Sequence, residues 1–424
     1  VTNVVEKVVY DRSAEKTLRD ELDREEKRGD LLEAKNADLA ERNEELAAKL
    51  EEERGRRERL ERIVPKSSRK STGRPARLTS ATTYYDRKEG VAFFDGNVHV
   101  DDEQYQLHAN RVYVFMDGSN DVRRIVAIGG GTVIDIAKIL AVAEKRDDVD
   151  SLYDRMSSLS REHELMVIPT TCGTGSECTN ISVAIVKDEK DGVLTGGETK
   201  LGLVSDDIIP NKVCLVPDML KTLPYKPFAC SAIDALVHAT ESFLSPCRKT
   251  ITSELFSEKA MDMILKGFKL IDEKGQDARF DYLLEFITAS FYAGIAFLKA
   301  GCGPVHGMSF PLGGTYHVPH GESNYMLFGA IMSYYDSKNP TGEILKFKEM
   351  VARILGCSVE NAIPEMNALL QRILPLRPLR DCGFTEEDFK AFPLSVEANQ
   401  QRLMTNAYYP FELEDIEGIY RACY

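Results

Sequence analysis

The segment RRIVAIGGGTVIDIAK, Arg123 to Lys138, restricts the possible folds of this chain more than any other. Its apolar run Ile125 to Ile128 reads as a buried parallel strand, the glycines after it as a tight turn, and the remainder as a helix. Glycines let a backbone come close to a pyrophosphate, and the first amides and dipole of a helix favour negative charge. A purely structural turn fits the same residues, because the pattern is not the GxGxxG of the usual dinucleotide fold. Such a strand is normally flanked by others that precede it, yet the residues before Arg123 do not read as strand-helix units.

They fall into three other kinds of sequence. From Thr17 to Val64 the chain is nearly all Glu, Arg, Lys, Leu, Ala and Asp, which are good helix formers. Leu18, Leu32, Leu39, Leu46 and Leu60 share one heptad position, with Leu22, Asn36, Asn43 and Leu50 on the position four residues later. This is the seam of a coiled coil, interrupted by Glu25, Gly29, Glu53 and Arg57, and it predicts a homo-oligomer over residues 1–64. Pro65 stops the helix, and a basic, Ser-containing linker occupies 65–77. Residues 78–124 alternate short runs rich in Val, Tyr, Phe and Thr with turn signals at Lys88-Glu89-Gly90, Asp95-Gly96-Asn97, Asp101-Asp102 and Asp117-Gly118-Ser119-Asn120, which predicts a β-meander.

Beyond Ile128 the chain reads as alternating strand and helix to Val216, a partial dinucleotide-binding α/β domain over 125–216. Residues 217–424 read as an all-α domain, from apolar spacings of three and four over Asp218–Phe243, Ser253–Leu270, Phe280–Leu298 and Gly342–Leu355. A formal net charge of -14 opposes nucleic-acid binding, since nothing neutralises phosphates overall. The nine cysteines form no CxxC pair, so neither a disulfide framework nor a thiolate zinc site is expected, and a reducing, cytoplasmic compartment fits. No apolar run approaches the ~20 residues of a membrane span, and no export signal is read at Val1.

Two further segments carry chemistry. VIPTTCGTGSECTN, Val167 to Asn180, is a strand running into a loop crowded with hydroxyls, where Thr170, Thr171, Thr174 and Ser176 can serve a ribose or phosphate, or merely cap a helix. Lys200, in ETKLGLV, can act as a point charge toward a phosphate or stand solvated at the surface. In SAIDALVHATESF, Asp234 and His238 are four apart in a helical pattern and leave one face. In GPVHGMSFPLGGTYHVPHGESN, His306, His317 and His320 follow, so four of the chain's seven histidines lie in these two segments. One carboxylate with two or three imidazoles suits Fe2+, Zn2+ or Co2+ and leaves room for a substrate oxygen.

The order GGGTVIDIAK, IPTTCGTGSE, DALVHATESF, GPVHGMSFPLGGTYHVPHG strongly resembles the iron-containing alcohol dehydrogenases, from about Ile125 to Tyr424. Within that family PVHGMSFPLGGTYHVPHGESNY is most similar to the NAD-dependent 4-hydroxybutyrate dehydrogenases. The resemblance implies Asp234, His238, His306 and His320 as ligands of Fe2+ (or Zn2+), catalytic through the metal, with His317 close by but not a ligand. It implies Gly129, Gly130, Gly131 and Thr132 at the pyrophosphate of NAD or NADP, and Asp135 and Lys138 on the following helix. Thr170, Thr171 and Thr174 would run along the cofactor, with Lys200 near its ribose. Many relatives carry a histidine four residues after the third ligand; Phe310 stands there, so no proton relay passes through that position. The spacing of Gly96-Asn97-Val98 and Ala109-Asn110-Arg111-Val112 resembles the OstA-like β-fold of lipopolysaccharide-transport proteins.

The expected activity is hydride transfer between a short alcohol or hydroxy acid and NAD, impaired by loss of the family's first sheet strands from what looks like a fusion. The competing expectation is an envelope assembly or lipopolysaccharide-transport protein with a non-catalytic dehydrogenase part.

Overall fold

The computed structural model describes residues 77–79, 82–86, 91–101, 106–116, 122–143, 152, 156–190 and 193–424. The expected coiled-coil helix and nearly all of the linker lie outside the described residues.

Short β-rich runs form β1 (Arg77–Thr79), β2 (Thr82–Asp86), β3 (Val91–Asp101), β4 (Gln106–Met116) and β5 (Val122–Gly129), joined antiparallel in the order β1-β3-β4-β5, with β2 also on β3. Asp95-Gly96-Asn97 does not turn the chain as expected: it lies inside β3, where the register with β4 shifts between Asp95 and Val98. A glycine within a strand often marks such a bulge.

β5 also pairs parallel with β6 (Glu164–Pro169), and β6 pairs parallel with β9 (Lys212–Val213). The division drawn from composition between residues 124 and 125 thus runs through β5, and the meander and the parallel strands make one sheet. The edge of β5 is covered by β4, with Arg111 opposite Ile128 and Val114 opposite Ile125. Ile125, Ala127, Leu165 and Val167 bury one face of the sheet against Ile134, Ala137 and Ala141 of α1 (Gly131–Val142). Strand-helix alternation was expected up to Val216; instead β7 (Ile181–Lys190) and β8 (Val193–Val204) form a long antiparallel hairpin.

From Pro217 onward the described elements are helical. They are α2 (Tyr225–Leu244), α3 (Ile251–Lys274), α4 (Leu283–Ala300), α5 (Pro304–Tyr316), α6 (His320–Lys338), α7 (Gly342–Leu355), α8 (Ala362–Ile373), α9 (Asp388–Asn399), α10 (Gln401–Met404) and α11 (Leu413–Ala422). Buried residues all round α2, among them Phe228, Ile233, Leu236, Val237 and Phe243, make it the central helix of this domain. Thr250 and Ser253 close a reciprocal cap at the start of α3. The stretch Gln276–Ala300 is long and apolar enough to cross a membrane by length and composition, but it packs into this core through Phe286, Ile287, Ala293 and Ala296. Gly301, at φ 75, ends α4, and Pro304 opens α5 where its missing N–H costs nothing. That tight connection sets His306 into the first turn of α5, facing α2.

Candidate metal centre and nucleotide cleft

On α2, Asp234, His238 and Glu241 follow at intervals of four and three, and all are buried. His306 on α5 and His320 at the start of α6 complete a cluster with them. Asp234, His238, His306 and His320 each present one donor atom, and these atoms all lie within 4.8 Å of one another. The imidazoles of His238 and His306 are 4.6 Å apart, and those of His306 and His320 5.2 Å.

Each buried imidazole is aimed by its far nitrogen. His238 Nδ1 donates to the carbonyl oxygen of Gly173 at 3.2 Å, and His306 Nδ1 donates to Glu241 at 2.5 Å. A carbonyl or carboxylate only accepts, so both rings donate from Nδ1 and turn Nε2 to the centre. Glu241 also accepts from the backbone N–H of Gly303 (2.9 Å) and Val305 (2.6 Å), which ties the start of α5 to α2. A second donor set, Glu241, Cys302 and His306, shares His306, but the carboxylate in it is already committed to these three donors.

Burial opposes charge on Asp234, yet His238, His320, His306 and the Asn324 amide outweigh it and hold the carboxyl below its ordinary range. Burial takes His238 down to about 3, which keeps it neutral and able to ligate. Burial also opposes a proton on His306, but Cys302 and Glu241 carry that imidazole well above its usual value. Asn324 was not singled out from sequence. Its amide donates to Asp234 Oδ1 at 2.8 Å and lies 3.2 and 3.3 Å from His306 Nε2 and His320 Nε2, while Ser309 donates to its oxygen at 2.5 Å. Glu241 was missed as well, although its place seven residues after Asp234 on a helix puts it on the same face.

His317 is not part of the cluster. It is exposed and ends α5 in the left-handed region at φ 52. Phe310, one turn after His306, stacks on His320 at 6.1 Å and 25°, and Phe297 stacks on His238 at 4.6 Å and 22°.

The glycine turn and the threonine loop meet. Thr170 N–H donates to Gly129 O at 3.0 Å. A Cβ on Gly130 would lie 3.1 Å from the Thr171 methyl, and one on Gly131 2.8 Å from that of Thr174. Thr132 is exposed at the start of α1. The loop then crosses the helical domain: Gly175, at φ 58, passes so close to α4 that a Cβ there would fall 2.6 Å from Gly294 Cα. Asp135 and Lys138, on α1, are both held by neighbouring segments. Lys138 is fully buried and donates to Thr179 Oγ1 (3.0 Å) and Ile181 O (2.8 Å), while Asp135 accepts from Ser176 Oγ and from Val183 N–H (3.0 Å). They fasten β7 to α1. Lys200 lies in β8 opposite Ile185.

The family model for iron-containing alcohol dehydrogenase matches residues 91–217, and that for the C-terminal domain of the same family matches 228–424. The first match takes in β3 to β5, so an envelope module carrying a passenger dehydrogenase is not supported. A 4-hydroxybutyrate dehydrogenase of Clostridium kluyveri is 45% identical over 307 residues, 72% of this chain and 80% of that one. A lactaldehyde reductase of Escherichia coli is 31% identical over 293 residues, covering 66% and 71%. Among solved structures, a 1,3-propanediol oxidoreductase superposes with TM-score 0.61 at 25% identity, covering 72% of this chain and 77% of that one. A sulfoacetaldehyde reductase from Bifidobacterium kashiwanohense, in complex with NAD+, has the same fold by TM-score 0.61 at 23% identity, with the same coverage. By its relatives and its domain models alike, the chain belongs to the iron-containing alcohol dehydrogenase family of oxidoreductases.

Proposed function

We propose that the chain is an NAD-linked dehydrogenase of short ω-hydroxy acids, with 4-hydroxybutyrate as the model substrate, and that Asp234, His238, His306 and His320 hold a divalent metal. The convergence of those four donor atoms carries the proposal. A carboxylate with three imidazoles fits Fe2+ and also Zn2+, and the half-exposed His320 leaves a side open for a substrate oxygen. Bound there, the metal would supply a Lewis acid that stabilises an alkoxide and eases hydride loss to the nicotinamide.

The protein's own residues set the geometry. Glu241 and the Gly173 carbonyl fix two ligands before anything binds, which removes reorganisation from the reaction. Gly130 and the first amides of α1 receive a pyrophosphate, and the loop from Thr170 to Gly175 runs from there to α2, so it sets the distance between cofactor and metal. Phe297 keeps water from the His238 imidazole behind it. On the far side of the glycine turn the antiparallel β4 stands where a dinucleotide fold has a parallel strand. The adenosine half is therefore held less well, and the KM for NAD is high.

The test is NAD-dependent oxidation of 4-hydroxybutyrate by protein loaded with Fe2+ or Zn2+, followed by NADH formation. Turnover with a raised KM for NAD is expected. A metal-loaded protein that binds NAD yet oxidises neither 4-hydroxybutyrate nor any short primary alcohol contradicts it.

A further inference from the structure

We propose that Phe310 determines substrate choice, admitting an unbranched primary carbinol to the metal centre and excluding a branched one. This deepens the function proposed above and rests on it. Asp234 and His306 are 4% exposed at their side chains and His238 is 5% exposed, whereas the His320 side chain is 39% exposed. The centre is therefore reached past His320. On that side the Phe310 ring lies stacked on the imidazole.

Phe310 leaves the same face of α5 as His306, one turn on, so its ring flanks the approach and not the bulk solvent beyond. Behind the centre, Phe297 backs His238 in the same way. A substrate carbon that reaches the donor atoms past His320 must run along the Phe310 ring. Methylenes gain apolar contact there, and the ring offers no hydrogen-bonding or titratable group. A methyl group on the carbinol carbon would have to occupy the volume of the ring.

4-Hydroxybutyrate and 4-hydroxypentanoate test this, because they share charge and the spacing of hydroxyl from carboxylate and differ by one methyl group on the carbinol carbon. Protein loaded with Co2+ reports binding of either through its visible spectrum, without cofactor or turnover. The native protein should bind 4-hydroxybutyrate about tenfold or more tighter than 4-hydroxypentanoate, the scale on which a pocket discriminates one methyl group. Phe310→Ala should shrink that ratio about fivefold or more through tighter binding of 4-hydroxypentanoate, and Phe310→Leu should fall between. An equal ratio in native and Phe310→Ala protein overturns the proposal, as does a native protein that does not distinguish the two acids. Loss of Co2+ from both variants also overturns it, because Phe310 would then be a residue that positions His320. Absence of NAD-linked turnover in every sample would reject the function proposed above and leave these binding ratios readable.

Discussion

Glu241 on α2 accepts the Nδ1–H of His306 on α5 at 2.5 Å, and this one contact both orients an imidazole of the donor cluster and joins the two helices that carry it. Replacing Glu241 by Gln should lower metal affinity about 10–100-fold, the usual loss when a ligand's supporting partner is changed. Glu241→Ala should be worse, since it also strips acceptors from the Gly303 and Val305 amides, at about 1–3 kcal/mol for each buried group left unpaired. Competition with a metal chelator measures the first effect and denaturant unfolding the second.

A methyl group at Gly173 would lie 2.6 Å from the Ser231 carbonyl oxygen and 2.8 Å from Ser231 Cα, both backbone atoms of α2. Neither can move aside alone. Gly173→Ala should cost about 1–3 kcal/mol of stability by overpacking and push the threonine loop off α2, with a higher KM for NAD. Unchanged stability and KM would show that the loop is not seated on α2.

Lys138 separates two roles that the sequence left together. If its work is to hold β7, Lys138→Ala should lose about 1–3 kcal/mol by orphaning the buried acceptors Thr179 and Ile181. The KM for NAD of the folded protein should then stay within about twofold, as a change with no effect on cofactor binding requires. A large rise in KM with native stability would return Lys138 to the cofactor.

Glu177 is buried with Oε1 unpartnered, and burial takes its carboxyl up to about 7 from 4.5. The folded protein then holds this proton over the pH range in which the unfolded chain has released it. Stability should fall as pH rises from 4.5 toward 7, by at most about 3 kcal/mol for a shift of this size. Glu177→Gln removes that slope, so urea midpoints at pH 5 and pH 8 should lie closer together in the variant than in the native protein.

The convergence of Asp234, His238, His306 and His320 was legible because its signals are local: an Asp-x-x-x-His pair on a helix, and histidines that are rare elsewhere in the chain. Glu241 was readable by the same helical arithmetic and was missed because a glutamate there also reads as a solvated face. The sheet was less legible. Strand runs around Ile125 and Val167 show in their apolar residues, and the turn signal Asp117-Gly118-Ser119-Asn120 marks Gln106–Met116 as a meander strand, but nothing in its period says that its neighbour β5 also pairs parallel with β6. The β7–β8 hairpin had a signal in the dipeptide Asp191-Gly192, a common hairpin turn, between Val- and Thr-bearing runs. Asp135 and Lys138 follow the glycine turn in sequence, and only the packing of β7 shows that they face inward.

The most direct measurement is the metal content of purified protein, native against His306→Ala, by elemental analysis after loading with Fe2+ or Zn2+ and removal of the excess. Stoichiometric metal in the native chain and its loss in the folded variant are expected. Equal metal in both would mean that Asp234, His238, His306 and His320 do not share one ion.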